Sequence, residues 1–261
     1  MPELVEVERY RALAEARALG RAVSAVDAPD AWYLKRGADA DLLRHVLEGE
    51  SFVAARRRGK LLMLDVSNGV VLGVHFGMSG RLLVDGLAGV DRLLYSPAGG
   101  EDRYDRFRVL FADGGVLAVR DPRRLGGVEL DPDESRLGPD ALTATLAELR
   151  RTLSGSVAPV KARLLDQSRL AGVGNLIADE VLWRAGLAPG RPAGEMSDSS
   201  VRRLHRHLGA GIAELIERGG SHTGDLMPER RPGGRCPRDG TPLVRLTVGG
   251  RTTWWCPRHQ R

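Results

Sequence analysis

The sequence is poor in cysteine and contains no long apolar run. Two cysteines in 261 residues cannot form a disulfide framework, so we expect a reducing compartment, the cytoplasm. The apolar stretches are short and interrupted by charge, which excludes a membrane-spanning helix. Glu3, Glu6 and Glu8 make the N-terminus unlike a secretory signal. The length predicts two domains, or two domains and a small appendage.

Lysine is scarce as well. Lys35, Lys60 and Lys161 are the only lysines among 39 basic residues. Where arginine fills nearly every basic position, a remaining lysine is a candidate for a role that needs a compact ammonium group. Lys60 draws attention because it follows Arg56-Arg57-Arg58-Gly59 at the entry to a predicted strand. A solvated surface lysine is the alternative.

Positive charge is concentrated at the C-terminus. The formal net charge is +5, and the last 33 residues hold eight arginines, no lysine and two acidic residues. Guanidinium groups form paired hydrogen bonds with phosphate oxygens, so this segment is a candidate phosphate-binding module. A solvated basic tail is the alternative, and charge alone does not decide between the two.

Hydrophobic periodicity predicts a helix, a β-rich region, a helical region and a small finger, in that order. A helix is predicted over residues 2–19. Short β-like runs predict a sandwich or barrel: Ser51–Ala55, Leu61–Val66, Val70–His75, Arg81–Val84, Phe107–Phe111 and Val116–Arg120. Further helices are predicted at Leu142–Leu153, Val160–Ser168, Leu176–Ala185 and Ser199–Arg218, the last capped by Ser197 or Asp198. A hairpin is predicted within Cys236–Cys256, and the fold class is α+β.

Two short cysteine motifs have the spacing of a zinc site. Cys236-Pro-Arg-Asp239 and Cys256-Pro-Arg-His259 are separated by 16 residues. Tetrahedral zinc accepts sulfur, nitrogen and oxygen donors, so the predicted ligands of one structural Zn²⁺ are Cys236, Asp239, Cys256 and His259. His222 is a competing fourth ligand. Two alternatives stay open: a finger without metal that is held by its hairpin and tryptophans, and a Cys236–Cys256 disulfide.

The N-terminus offers a candidate nucleophile. Removal of Met1 ahead of a small residue exposes the secondary amine of Pro2, and part of such an amine is unprotonated at neutral pH. This amine can attack a sugar C1′ and form an iminium intermediate. Glu3 is placed to protonate the departing group or the opened sugar oxygen if burial raises its pKa.

Together these motifs resemble the formamidopyrimidine-DNA glycosylase and endonuclease VIII family over nearly the whole chain. Each motif is weak or moderate alone, but their order and spacing are specific. The motifs are Pro2-Glu3-Leu4 with Glu6, Gly59-Lys60-Leu-Leu, His75-Phe-Gly77-Met78-Ser79-Gly80, Asp121-Pro-Arg123-Arg124-Leu125-Gly126, Leu164-Leu165-Asp166-Gln167, Gly172-Val-Gly174-Asn175-Leu-Ile-Ala-Asp179-Glu180 and the two cysteine motifs.

The resemblance implies a DNA glycosylase and AP lyase of base-excision repair that acts on damaged double-stranded DNA. It also implies a monomer that is associated with the nucleoid. It implies an N-terminal helix and β-sandwich over residues 1–130, a helix-two-turn-helix domain over 131–220 and a basic zinc finger over 221–261. By position, Pro2 resembles the family's nucleophile and Glu3 its acid. Lys60 resembles the lysine that holds the DNA backbone and assists catalysis.

Five further positions resemble the family's DNA-binding residues. Met78, Arg123 and Leu125 match residues that fill the gap left by the flipped nucleotide and probe the opposite base. Asn175 and Arg251 match the pair that grips the phosphates beside the lesion. Without the resemblance, Asn175 is an ordinary helix cap, Met78 and Leu125 are core residues, and Arg251 is a surface charge.

The sequence also departs from the family. Val5 stands where the family usually has proline, and Leu125 stands where the 8-oxoguanine enzymes have phenylalanine. Asp239 and His259 change the expected zinc ligands. The segment from Gly220 to Cys236 is too short for the lesion-capping loop of the 8-oxoguanine branch. We therefore expect the endonuclease VIII branch and a preference for oxidised pyrimidines.

Two other classes of protein stay possible from the sequence. A non-catalytic lesion-binding protein of this fold would keep the DNA-binding residues, but Pro2, Glu3 and Lys60 argue against it. An RNA- or ribosome-associated zinc protein is suggested by the basic finger alone, and it leaves the N-terminal motif unexplained.

Overall fold

A computed structural model describes residues 2–91, 93–94 and 101–261. These residues form two compact units, one of residue 2 and the described part of 6–134, and the other of residues 3–5 and 135–261. The helices are α1 Leu4–Arg17, α2 Ala40–Leu47, α3 Leu146–Leu153, α4 Val160–Leu165, α5 Asn175–Ala185 and α6 Asp198–Glu217. The strands are β1 Val23–Asp27, β2 Phe52–Arg58, β3 Leu61–Val66, β4 Val71–His75, β5 Arg81–Val84, β6 Leu87–Ala88, β7 Asp105–Phe111, β8 Val116–Arg120, β9 Gly127–Leu130, β10 Val244–Val248 and β11 Arg251–Trp255.

The first unit is a sandwich of two antiparallel sheets. One sheet has the order β1-β7-β8-β5-β6 and the other the order β2-β3-β4-β9. Strand β7 alternates buried and half-buried residues, which is typical of a strand with one face on a core. Side chains of both sheets share one apolar core, among them Leu62, Leu64, Phe107 and Val119. The predicted N-terminal sandwich and the α+β class are confirmed.

The second unit is built on helices whose ends are fixed by side chains. Thr145 and Glu148 form a reciprocal capping box at the start of α3. The hydroxyl of Ser197 accepts from the N–H of Ser200 at the start of α6, so Ser197 is the cap that the sequence left undecided. Within the described residues, no helix combines the length and the apolar character that a membrane crossing requires.

The C-terminal strands β10 and β11 form a two-stranded hairpin within the second unit. The first unit ends at residue 134, and the domain bounds 1–130 and 131–220 stay predictions. A separate finger domain over 221–261 stays a prediction.

A buried charge cluster joins the hairpin to α4 and α5. Lys161 and Asp179 are fully buried, and Nζ of Lys161 lies 2.6 Å from Oδ1 of Asp179. Arg230 approaches Oδ2 of Asp179 at 2.8 Å, and the N–H of Trp254 donates to the same oxygen at 3.3 Å. Lys161 also donates to the hydroxyl of Thr253 at 2.7 Å. Burial lowers the pKa of Lys161, and the charge of Asp179 opposes that shift.

We expect Asp179→Ala to destabilise the protein by about 3–5 kcal/mol, because it leaves two buried cations without their counter-charge. Asp198→Ala is the matched control, since Asp198 also pairs with two arginines but is half exposed. Its cost should be about 1 kcal/mol or less. Urea unfolding of both variants measures the difference. Equal, small losses would contradict a structural role for the cluster.

Candidate functional site

The carboxylate of Glu3 lies at the N-terminus of α5. Its Oε1 accepts from the N–H of Leu176 at 2.8 Å, and its Oε2 accepts from the N–H of Ile177 at 3.0 Å. Glu3 is only 1% exposed, and a Cβ on Gly174 would lie 2.1 Å from its carboxyl carbon. Glycine at 174 is therefore required by this close approach. Burial alone favours a protonated acid, whereas the two backbone N–H donors and the helix dipole favour the carboxylate.

Pro2 and Lys60 belong to the first unit. Pro2 is buried and directly precedes Glu3 in the chain. Lys60 is half-buried in a two-residue turn between β2 and β3, where Gly59 has a φ of 59°. Such turns favour glycine at their first position. Leu61 lies opposite His75 in the sheet, so Lys60 is next to the end of β4.

Two loops of the first unit bring the three predicted gap-filling residues together. Leu125 is 50% exposed, Arg123 is exposed and Met78 is half-buried, so none of them is a fully buried core residue. A Cβ on Gly77 would lie 2.3 Å from the carbonyl carbon of Leu125, which shows how closely the loops approach. The interpretation of Leu125 as a core residue is excluded by its exposure.

Asp121 organises both loops. Its buried carboxylate accepts the hydroxyl of Ser79 at 2.5 Å and the N–H groups of Arg123, Leu125 and Gly126 at 3.1, 2.9 and 2.9 Å. A carboxylate that accepts so many donors fixes the backbone around it. The sequence predicted no role for Asp121. The only feature of the sequence that could have indicated one is its position as the first residue of the Asp-Pro-Arg-Arg motif.

Asn175 and Arg251 lie close together in the second unit. Asn175 is the first residue of α5, and its Nδ2 donates to the carbonyl of Thr252 at 3.0 Å. Its Oδ1 is buried and has no hydrogen-bond partner in the described part of the chain. Arg251 begins β11, is exposed and forms no ion pair within the described residues. The helix-cap interpretation of Asn175 does not apply, because its side chain makes no cap hydrogen bond.

Four side chains of the finger could hold a metal ion. The ligand atoms of Cys236, Asp239, Cys256 and His259 all lie within 4.8 Å of one another. Sγ of Cys236 is 3.4 Å from Nδ1 of His259, and Sγ of Cys256 is 3.5 Å from Oδ2 of Asp239. Zinc bonds of about 2.0–2.3 Å in a tetrahedron separate neighbouring ligands by about 3.3–3.8 Å, so the cluster fits zinc.

The surroundings of the cluster also suit a metal. Nε2 of His259 lies 3.1 Å from the carbonyl of Trp183, and donation there leaves Nδ1 free to bind a metal. The N–H of Thr241 donates to Asp239. This hydrogen bond is the largest cause that lowers the pKa of the Asp239 carboxyl to about 2. Both thiols are free, which excludes the disulfide alternative. His222 lies outside this four-residue cluster.

Comparison with known proteins identifies relatives along the whole chain. The profile of the formamidopyrimidine-DNA glycosylase N-terminal domain matches residues 1–128, and that of the H2TH domain of the same enzymes matches residues 137–226. Formamidopyrimidine-DNA glycosylases of Cereibacter sphaeroides and Thermus thermophilus are 35% and 36% identical, over all of this chain and 100% and 98% of theirs. A solved complex between the Lactococcus lactis Fpg and abasic-site DNA has a TM-score of 0.84 at 27% identity and covers both chains fully.

Proposed function

Because the chain belongs to the formamidopyrimidine-DNA glycosylase family, we propose that it removes oxidised bases from double-stranded DNA and then cleaves the strand as an AP lyase. The observation that carries this proposal is the Pro2-Glu3 pair, with the Glu3 carboxylate fixed on the N-terminus of α5. Solved relatives bound to abasic-site DNA support the choice of partner.

The proposed first step forms a bond between the Pro2 nitrogen and the sugar C1′. Met1 must be removed first, because an amide nitrogen has no available electron pair. As the N–C1′ bond forms, the bond from C1′ to the base breaks and its electron pair leaves with the base. The nitrogen then loses its proton. The carboxylate of Glu3, the next residue in the chain, would accept this proton.

The proposed second step opens the sugar and cuts the strand. The nitrogen electron pair forms the iminium while the C1′–O4′ bond breaks, and protonated Glu3 gives its proton to O4′. A water molecule then accepts a proton from C2′, which the adjacent iminium makes acidic. The released electron pair forms the C2′–C3′ double bond as the C3′–O bond breaks and the 3′ phosphate leaves. Lys60, Asn175 and Arg251 have cationic or amide groups suited to holding the flanking phosphates.

We expect borohydride to trap a covalent adduct between the mature protein and DNA that contains an abasic site, because reduction of the iminium makes the bond permanent. A short extension before Pro2 should abolish the adduct, since it converts the amine to an amide. Pro2→Gly is not a clean test because glycine also supplies an amine. Retained trapping in the extended protein would rule out Pro2, and no trapping at all would favour a non-catalytic lesion-binding protein.

We further propose that the finger binds one structural Zn²⁺ through Cys236, Asp239, Cys256 and His259. The ligand separations and the free Nδ1 of His259 support this set. The ion would hold the two ends of the hairpin together and so fix the turn that bears Arg251.

Metal analysis of protein purified without added zinc should return about one equivalent, as expected for a four-ligand site. Asp239→Ala should lower the zinc affinity, because it removes one ligand. His222→Ala is the control and should leave the affinity unchanged. The reverse pattern would make His222 the fourth ligand, and a folded, DNA-binding protein without metal would contradict the site.

The segment between the helices and the finger supports a preference for oxidised pyrimidines and abasic sites, as in the endonuclease VIII branch. Glu180 accepts the N–H groups of Asp225 and Leu226 at 3.0 and 2.9 Å, and Arg230 is paired with Asp179. These bonds leave little free chain to cover an extruded purine. The Thermus thermophilus relative, at 36% identity, is named for a formamidopyrimidine substrate, so this preference departs from the substrate in that name.

Single-turnover excision of thymine glycol or dihydrouracil, and strand cleavage at an abasic site, should be faster than excision of 8-oxoguanine opposite cytosine, because discrimination needs polar groups at the edge of the flipped base. Leu125→Phe is the companion variant. A larger wedge should sharpen the dependence on the opposite base and leave the order of lesions unchanged. Faster release of 8-oxoguanine or formamidopyrimidine than of every other lesion would refute the preference.

A further inference from the structure

Trp32 is an exposed tryptophan on the first unit. It lies in a short 3-10 helix, Ala31–Tyr33, and 66% of its surface is accessible. Among the large apolar side chains that are exposed in the described residues, it is the only aromatic one. Exposed aromatic rings near cationic groups are characteristic of nucleic-acid-binding surfaces. The surroundings of Trp32 therefore decide what it could bind.

The segment that bears Trp32 is locked to the loop that bears Leu125. Both carboxylate oxygens of Asp30 accept from the guanidinium of Arg124 at 2.6 Å. The pKa of Asp30 is lowered, first because of this pair. A Cβ on Gly126 would lie 2.2 Å from the hydroxyl of Tyr33. Trp32 and Leu125 thus belong to one rigid part of the first unit.

Positive charge continues from Trp32 to Leu125. Nζ of Lys35 lies 4.6 Å from the centre of the Trp32 ring and donates to the Trp32 carbonyl. Lys35, Arg36, His75 and Leu125 line the same cavity. Glu129 is the one carboxylate among the residues that line this cavity, and it is paired with Arg36 at 2.8 Å. The positive charge of Lys35 is therefore not balanced by a carboxylate of the cavity.

We propose that Trp32 and Lys35 form a clamp for the backbone of the undamaged DNA strand. The indole ring would pack on a deoxyribose and its N–H would donate to a phosphate, while Lys35 would neutralise that phosphate. Leu125 is proposed to probe the base opposite the lesion, and the Asp30–Arg124 pair joins the Trp32 segment to the Leu125 loop. The strand that Trp32 and Lys35 would contact is therefore the undamaged one. The inference rests on the proposed function for the presence of that DNA.

Binding to a duplex with one tetrahydrofuran residue tests the clamp without any cleavage. Trp32→Ala should weaken binding about tenfold, in line with loss of a hydrogen bond to a charged group. Lys35→Ala should reduce the salt dependence by about one unit of log–log slope. Leu87→Ala, another exposed apolar residue of this unit, is the control and should bind normally.

Two comparisons separate a clamp from a general loss of structure. The effect of Trp32→Ala should disappear on a single-stranded oligonucleotide with the same residue, and it should not depend on which base lies opposite. Trp32→Phe should retain part of the affinity, because the ring still packs. Normal duplex binding by Trp32→Ala, an equal loss on single strands, or a loss that varies with the opposite base would each overturn the proposal.

Tryptophan fluorescence gives an independent readout. The other three tryptophans, Trp183, Trp254 and Trp255, lie in the second unit and are buried or half-buried. Duplex binding should therefore protect Trp32 from acrylamide, and Trp32→Phe should remove that protection. Unchanged protection in Trp32→Phe, or self-association that Trp32→Ala abolishes, would refute the clamp. Duplex binding without borohydride trapping would count against the proposed chemistry alone.

Discussion

The buried carboxylate of Asp179 is the constraint on which the second unit depends. A charge with no access to water is tolerated only when opposite charges and hydrogen bonds surround it. Here those partners come from three separate parts of the chain: Lys161 in α4, Arg230 after α6 and the backbone of Trp254 in β11. The carboxylate is therefore satisfied only when the hairpin is docked on the helices, which also sets Arg251 beside Asn175.

The first unit uses a buried aspartate in a similar way. Asp121 collects donors from two loops, and its bonds to Ser79 and Leu125 fix the turns that present the exposed side chains. Gly77 completes the arrangement because only a residue without Cβ allows the loops to approach so closely. In both candidate DNA-binding surfaces, a buried carboxylate thus holds the backbone that carries the side chains, which is the preorganisation that specific binding needs.

The local pattern of apolar and turn residues was enough to predict some of the secondary-structure elements. Strands β3, β5 and β8 have the predicted bounds because short apolar runs are closed by clear turns. Helix α2 was missed although Asp39 caps it and Leu43 and Leu47 share one buried face, since eight residues are few beside the β-like runs around them. Strand β1 pairs with β7, about 80 residues away, and no local pattern reports such a pairing. The charge partners of Asp179 were invisible for the same reason, whereas cysteine spacing located the metal cluster.

The three lysines show how composition bears on structure in this arginine-rich chain. Lys161 fits a fully buried space beside Asp179, where the planar fork of arginine would need room for five donors. Lys35 combines a ring contact with a bond to the carbonyl of the same tryptophan, three residues earlier, which a flexible stem with a compact head can make. Lys60 occupies a two-residue turn beside the end of β4. Lys161 and Lys35 stand where geometry, and not charge alone, distinguishes lysine from arginine.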